Sequence, residues 1–293
     1  MRPAERVFRV LNHEIPDYCP VLVRAMSQKV QNDYANQYEI AEEDEAFFWR
    51  DLTPLISMKI DAYDFNFPLK KPAIDVGTDK SIDFFGRISM HGAYTDGYIK
   101  SRQILSEFPP IEMQDPKDPE YFGQMVQGVG DRIAIFALLR GLFELTWEGM
   151  GLAVFGKAQR KDPGFITAMI DRIDRLNLVN LKAALDQDIQ FFSVADDMGF
   201  KNGLVTNKKF YDEHIFPRYR SMINLIHNKG GKIYLHSEGN IAELMPSIIE
   251  AGFDGVQGLT PMDGIDIAEM KINYGDKIAL LGGLLHSPDR KSV

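Results

Sequence analysis

The sharpest chemical feature of the sequence is His236-Ser237-Glu238. Imidazole nitrogen and carboxylate oxygen both ligate zinc, and a catalytic zinc takes three protein ligands with one open position. Two such groups one residue apart at a strand end can turn toward one point where the chain bends, so His236 and Glu238 are candidate metal ligands. The competing account has the histidine hydrogen-bonding the strand ends or a substrate carboxylate, with Glu238 paired to a cation. No third ligand is assigned. Asp196-Asp197 is the second feature and supplies the candidate catalytic carboxylates. Adjacent strand residues point to opposite faces. One carboxylate is therefore expected to reach a pocket, where it orients a substrate N–H or stabilises a developing cation. The other caps the following loop or pairs with Lys201, and a plain turn-forming Asp pair competes with both. Arg24, Glu144 and Gln257 complete the set as candidate substrate-binding residues. Arg24 can grip an anion bidentately; Glu144 equally suits the positive end of a helix dipole. His214 and His227 fall within a helical stretch, where surface or packing roles are expected.

These residues share a position: each follows a strand-like run. From about residue 162 the chain alternates helical and strand patterns, the mark of βαβ units and a parallel sheet. Asp162-Pro163 opens a helix with a capping residue and proline at its first position. Strands are expected at Ile189–Ala195, Lys232–Leu235, Gly255–Leu259 and Ile278–Leu281, with a helix from Lys208 to His227 and another after Asn240 closed by Gly252. Earlier, Cys19–Val23, Ile56–Ala62 and Ile133–Leu138 read as strands. The Gly-punctuated, aromatic-rich stretch 84–99 reads as a β-hairpin inserted over the mouth of a barrel. Parallel strands with right-handed crossovers build either a barrel or an open doubly wound sheet. No G-x-G-x-x-G follows a strand, so dinucleotide binding has no support. In a parallel barrel, active sites gather at the C-terminal ends of the strands.

Composition sets the bounds. The chain has 293 residues, 45% hydrophobic and 26% charged, enough for one barrel domain spanning 1–293. A net charge of −9 with no dense Lys/Arg run argues against nucleic acid as the main partner. Cys19 is the single cysteine, so neither an intramolecular disulfide nor a multi-cysteine metal site is possible. No uninterrupted apolar run is long enough to span a membrane, and the charged N-terminus lacks a signal-peptide core. A soluble, cytoplasmic protein is expected.

Several stretches together resemble the uroporphyrinogen decarboxylase-like superfamily. The opening Arg6–Asp17 resembles an R-x-L-x-x-L-N-H-E-x-P-D start. Asp196-Asp197-Met198-Gly199, Phe216-Pro217-Arg218-Tyr219, Asp254-Gly255-Val256-Gln257 and Tyr274-Gly275-Asp276-Lys277-Ile278 follow in the expected order. His236-Ser237-Glu238-Gly239-Asn240 is similar to an H-x-C-G-N motif. The resemblance implies a TIM (β/α) barrel and one of two chemistries. One is cofactor-free decarboxylation of porphyrinogen acetates in tetrapyrrole biosynthesis; the other is zinc-dependent methyl transfer involving a corrinoid protein or a thiol. Decarboxylases carry R-Q-A-G-R after the first strand, whereas this chain reads Val23-Arg24-Ala25-Met26-Ser27-Gln28 and keeps only Arg24. Gly141-Leu142-Phe143-Glu144 looks like the methyltransferase branch.

In that branch the resemblance implies zinc held by histidine and two cysteines. His236 matches the histidine, Glu238 stands for the first cysteine, and no cysteine follows Leu281. Oxygen in place of sulfur makes zinc poorer at activating a thiol, which leaves an O- or N-methyl donor, a zinc Lewis acid and a corrinoid acceptor on a partner protein. The alternatives are a carboxy-lyase using Arg24, and a non-catalytic tetrapyrrole- or corrinoid-binding protein. A closed barrel has eight strands; the sequence supplies seven, so the last βα unit is expected to be missing and the exposed edge to favour a homo-oligomer.

Overall fold

The computed structural model describes residues 1–24, 59–66, 72–109 and 118–282. Helix α1 (Pro3–Leu11) leads to strands β1 (Leu22–Val23) and β2 (Ala62–Asn66). An antiparallel sheet follows, made of β3 (Lys80–Ile82), β4 (Arg87–Met90) and β5 (Ala93–Gly97). Helices α2 (Arg102–Glu107) and α3 (Asp118–Val129) precede β6 (Ala134–Arg140). Next come α4 (Glu144–Met150), α5 (Leu152–Lys161), the long α6 (Pro163–Leu185) and β7 (Phe191–Ala195). A short hairpin, β8 (Gly199–Phe200) and β9 (Gly203–Leu204), leads into α7 (Lys208–Phe210) and α8 (Phe216–His227). The chain continues through β10 (Lys232–His236), α9 (Met245–Ala251), β11 (Gly255–Leu259), α10 (Ile267–Tyr274) and β12 (Ala279–Gly282).

One parallel seven-stranded sheet runs β1-β2-β6-β7-β10-β11-β12. Its spatial order equals its chain order. A doubly wound sheet reverses direction at a switch point, and this one does not, so the fold is TIM-barrel-like. Strand alternation splits the core in two. Ala62, Ala134, Phe136, Phe191, Tyr234 and Ala279 face inward and meet Val7 and Leu11 of α1. Phe136 stacks at 5.2 Å from Phe191 and 5.1 Å from Tyr234. The intervening residues, among them Ile135, Ala137, Leu139, Val194, Leu235 and Val256, pack outward on helix residues such as Ile166, Ile170 and Ile223. Helix α1 is pinned beside the N-terminal end of β2 by the buried Arg6–Asp61 ion pair. The C-terminal ends of the strands are left for the loops.

Several expected elements shift. The second strand begins at Ala62 rather than spanning Ile56–Ala62, and 56–58 lie outside the described residues. Its pattern is hidden by Asp64, a polar inward residue whose partners, Arg24 just after the neighbouring β1 and Tyr234 of β10, are far away in the sequence. The third strand runs on to Arg140, where the Asn177 side chain of α6 bonds both the Arg140 N–H and its carbonyl, at 2.8 Å each. The inserted hairpin is three-stranded because the polar run Lys80–Ile82 joins it. The helix expected from Lys208 to His227 contains a π-helical turn at Tyr211–Ile215, ahead of Pro217, whose missing N–H cannot continue a regular ladder. The Asp162 cap forms as expected, its carboxylate accepting from Phe165 N–H, and Gly252 closes α9 at φ 99°. Among the described residues β1 and β12 are not paired with each other, and the stretch after Gly282 lies outside them. No helix among the described residues is long and apolar enough to cross a membrane.

Candidate active site

A cleft lies at the C-terminal ends of β7, β10, β11 and β12. One compartment, about 310 Å³, is lined in part by Glu144, Trp147, Glu148, Asp197, Lys201 and Asp263. A second, about 250 Å³, is lined by residues including His236, Gln257, Thr260 and Met262. Glu238 and Asp263 border both, so the compartments adjoin.

Strand parity assigns the two aspartates. Asp196 follows the outward series of β7 and is fully buried; Asp197 turns back toward the cleft. The Asp196 carboxylate accepts from Glu144 N–H at 2.6 Å, from Phe143 N–H at 3.1 Å and from Tyr219 O–H at 2.6 Å. It thus satisfies the otherwise orphaned amides at the start of α4. Burial pushes Asp196 up to about 6, against the pull of these donors. Asp197 Oδ1 accepts from Glu238 N–H at 2.8 Å and lies 3.7 Å from His236 Nε2. The loops after β7 and β10 meet because Gly239, at φ 81°, sits on the Gly199 backbone where any Cβ would collide.

His236 Nδ1 is hydrogen-bonded to Gln257 Oε1. An amide oxygen only accepts, so Nδ1 carries the hydrogen and Nε2 faces Asp197. The pair that forms is therefore His236 with Asp197, while the Glu238 side chain is exposed at the cleft rim. Among the described residues no three His, Cys, Asp or Glu side chains are grouped as metal ligands are. The described residues alone do not supply the three protein ligands that a catalytic zinc at His236 and Glu238 takes. Arg24 is not among the residues lining either compartment: its Nε donates to Asp64 at 3.1 Å, and Tyr234 O–H bonds the same Asp64 oxygen.

Glu144 is the first residue of α4, and its carboxyl lines the cleft. Burial is the largest cause that pushes it up to about 8, reinforced by the charges of Asp197, Glu148 and Asp196. One turn on, Glu148 Oε2 accepts from Arg87 Nη1 at 2.9 Å. Burial raises Glu148 too, but Arg87 opposes the rise. Glu148, Arg87, Trp147 and Asp263 were not singled out from the sequence. Glu144 and Glu148 at i,i+4 directly after a strand were the available signal for the first; Arg87 carries none, since only folding of the inserted sheet brings it there. His214 packs on Phe210 at 4.9 Å, and His227 bonds Asp254 at the far end of the barrel.

The sequence pattern of the family described as Uroporphyrinogen decarboxylase (URO-D) matches residues 104–287, well over half the chain. The chain belongs to the uroporphyrinogen decarboxylase family. Among solved structures, a methyltransferase from Methanosarcina mazei matches at TM-score 0.71 and 14% identity over 97% of this chain and 83% of that one. At that identity the likeness is one of fold. Two chitinases share less: one from Pseudomonas fluorescens Pf-5 at TM-score 0.37, with 8% identity over 82% of this chain and 54% of that one, and one from Chromobacterium violaceum ATCC 12472 at 0.40, with 11% identity over 91% and 68%. No curated protein matches this family member in sequence.

Two consequences are measurable. Asp196→Ala strands buried donors at the start of α4, and denaturant unfolding is expected to show a loss of roughly 2–4 kcal/mol. An unchanged midpoint rules out the tie. Glu144 has a folded pKa above its ordinary value, so folding takes up a proton between pH 4.5 and about 8, and stability falls as pH rises through that window. Glu144→Gln removes this share of the decline, making the variant more stable relative to wild type at pH 9 than at pH ~4. A parallel pair of stability–pH curves contradicts it.

Proposed function

We propose that this protein transfers a methyl group from a small, uncharged or cationic O- or N-methyl donor to a corrinoid delivered by a partner protein. The observation that carries the reading is the Glu144 carboxyl, largely buried and pushed up to about 8, set among the carboxyl groups of Glu148, Asp197, Glu238 and Asp263 in one cleft compartment. The corrinoid, when bound, supplies the nucleophile that accepts the methyl group. The chain's own residues handle the other half of the bond. As carbon leaves the donor oxygen or nitrogen, the bonding pair stays on the heteroatom, and Glu144 gives it a proton so that no free alkoxide or amide anion is released. The Glu144 carboxylate then regains its proton from solvent. Asp197 holds the donor, itself oriented by the Glu238 N–H and faced by His236. His236, in turn, is fixed by Gln257.

Charge separates this reading from porphyrinogen decarboxylation. A porphyrinogen carries several carboxylates, and Glu148, Asp197, Glu238 and Asp263 on the cleft walls repel them. Arg24, the residue a decarboxylase would use to grip those carboxylates, is paired with Asp64.

The test offers the protein a panel of methoxy and methylamino compounds with reduced cobalamin and follows methylcobalamin by absorbance. Turnover is expected with uncharged or cationic donors and not with donors bearing several carboxylates. Glu144→Gln is expected to lower kcat/KM by roughly 10²–10⁴-fold. Decarboxylation of a porphyrinogen, or binding of corrinoid with no methyl transfer across the panel, overturns the proposal in favour of the lyase or the binding protein.

A further inference from the structure

The antiparallel sheet β3–β5 packs against α4. We propose that Arg87, carried by this sheet, is a positioning residue that holds Glu148 as the ionised member of the Glu144–Glu148 pair and thereby leaves the transferable proton on Glu144. The inference rests on the reading of Glu144 as proton donor and adds what decides where the proton sits.

Glu144 and Glu148 lie one turn apart on α4, and both line the same compartment. Two carboxyls this close, away from bulk water, do not both ionise cheaply, and their neighbours decide which one keeps the proton. Asp197 and Asp196 come from the end of β7 and disfavour charge on Glu144. Glu148 is faced by Asp83 and Asp197, which disfavour its charge, and by Arg87, which bonds it directly. Arg140 lies behind Arg87, its guanidinium 5.9 Å from the Phe85 ring centre, and Lys201 lines the far side of the compartment.

The Arg87 guanidinium is rigidly placed. Its Nε donates to Asp83 Oδ2 at 2.6 Å, while Asp83 Oδ1 accepts from Phe85 N–H and Arg87 N–H at 2.9 Å each. The sheet is fastened to α4 by Tyr94 O–H to the Glu148 carbonyl at 3.1 Å and by Ile99 N–H to the Gly149 carbonyl at 2.9 Å. At Gly97 a Cβ would strike the backbone at Glu148, Gly149 and Gly151, so sheet and helix touch main chain to main chain. A guanidinium fixed in this way favours the ionised Glu148 through both charge and hydrogen bond.

The experiment is a ¹³C NMR titration of glutamate carboxyls in the full-length protein, with signals assigned by Glu144→Gln and Glu148→Gln. In wild type, Glu148 is expected to titrate below Glu144. In Arg87→Met the Glu148 midpoint is expected to rise by about one unit or more, closing the gap between the two. In Arg87→Lys, which keeps the charge without the fork, the rise is smaller. An unmoved Glu148 midpoint in a folded Arg87→Met protein overturns the proposal. Should that variant not fold, an unmoved midpoint in Arg87→Gln does the same. The titration reads proton placement without any methyl donor, so failure of the methyl-transfer reading and failure of this inference are separate results.

Discussion

Asp196 is the tie on which the geometry of the cleft depends. It is fully buried and accepts hydrogen bonds from the start of α4 and from Tyr219 of α8, joining the end of β7 to two helices. The alternation of a β-strand does the rest. With Asp196 turned out to hold the helix, Asp197 must turn in. The same hydrogen bond that satisfies the Glu144 amide fixes where the Glu144 carboxyl begins, so the aspartate that makes no contact with the cleft sets the position of both carboxyls that do.

The electrostatics of the cleft follow from this placement. Glu144 is brought close to Asp197, Glu148 and Asp196 in a partly buried setting, and burial with like charge pushes it up to about 8. A carboxyl whose pKa is raised among other carboxyls is suited to protonating the oxygen or nitrogen that would otherwise leave an uncharged donor as an anion. The same walls disfavour a polycarboxylate ligand. Family membership alone does not choose between lyase and transferase, since both share the barrel; the sign of the charge lining the mouth is what favours transfer.

Much of this was legible in the sequence, and the remainder was hidden for identifiable reasons. The strands Phe191–Ala195, Lys232–His236 and Gly255–Leu259 announced themselves because each is a compact β-rich run bounded by turn residues. Parity along β7 already required the two aspartates to part company, although not which would face inward. The second strand was obscured by Asp64, which is polar yet inward because Arg24 and Tyr234 meet it there. The metal expectation rested on spacing at one strand end, and spacing could not show that His236 also meets Asp197 and Gln257. Arg87 lies 61 residues from Glu148 along the chain, and no local pattern foretells a contact of that range.

The central claim is that Glu144 holds a proton at neutral pH in this cleft. Infrared difference spectroscopy of the whole protein across a pH series tests it most directly. The account predicts a protonated-carboxyl carbonyl band present at pH ~7, lost with a midpoint of about 8 and missing from Glu144→Gln. A spectrum with no component titrating there, or one in which that component survives in Glu144→Gln, would contradict it.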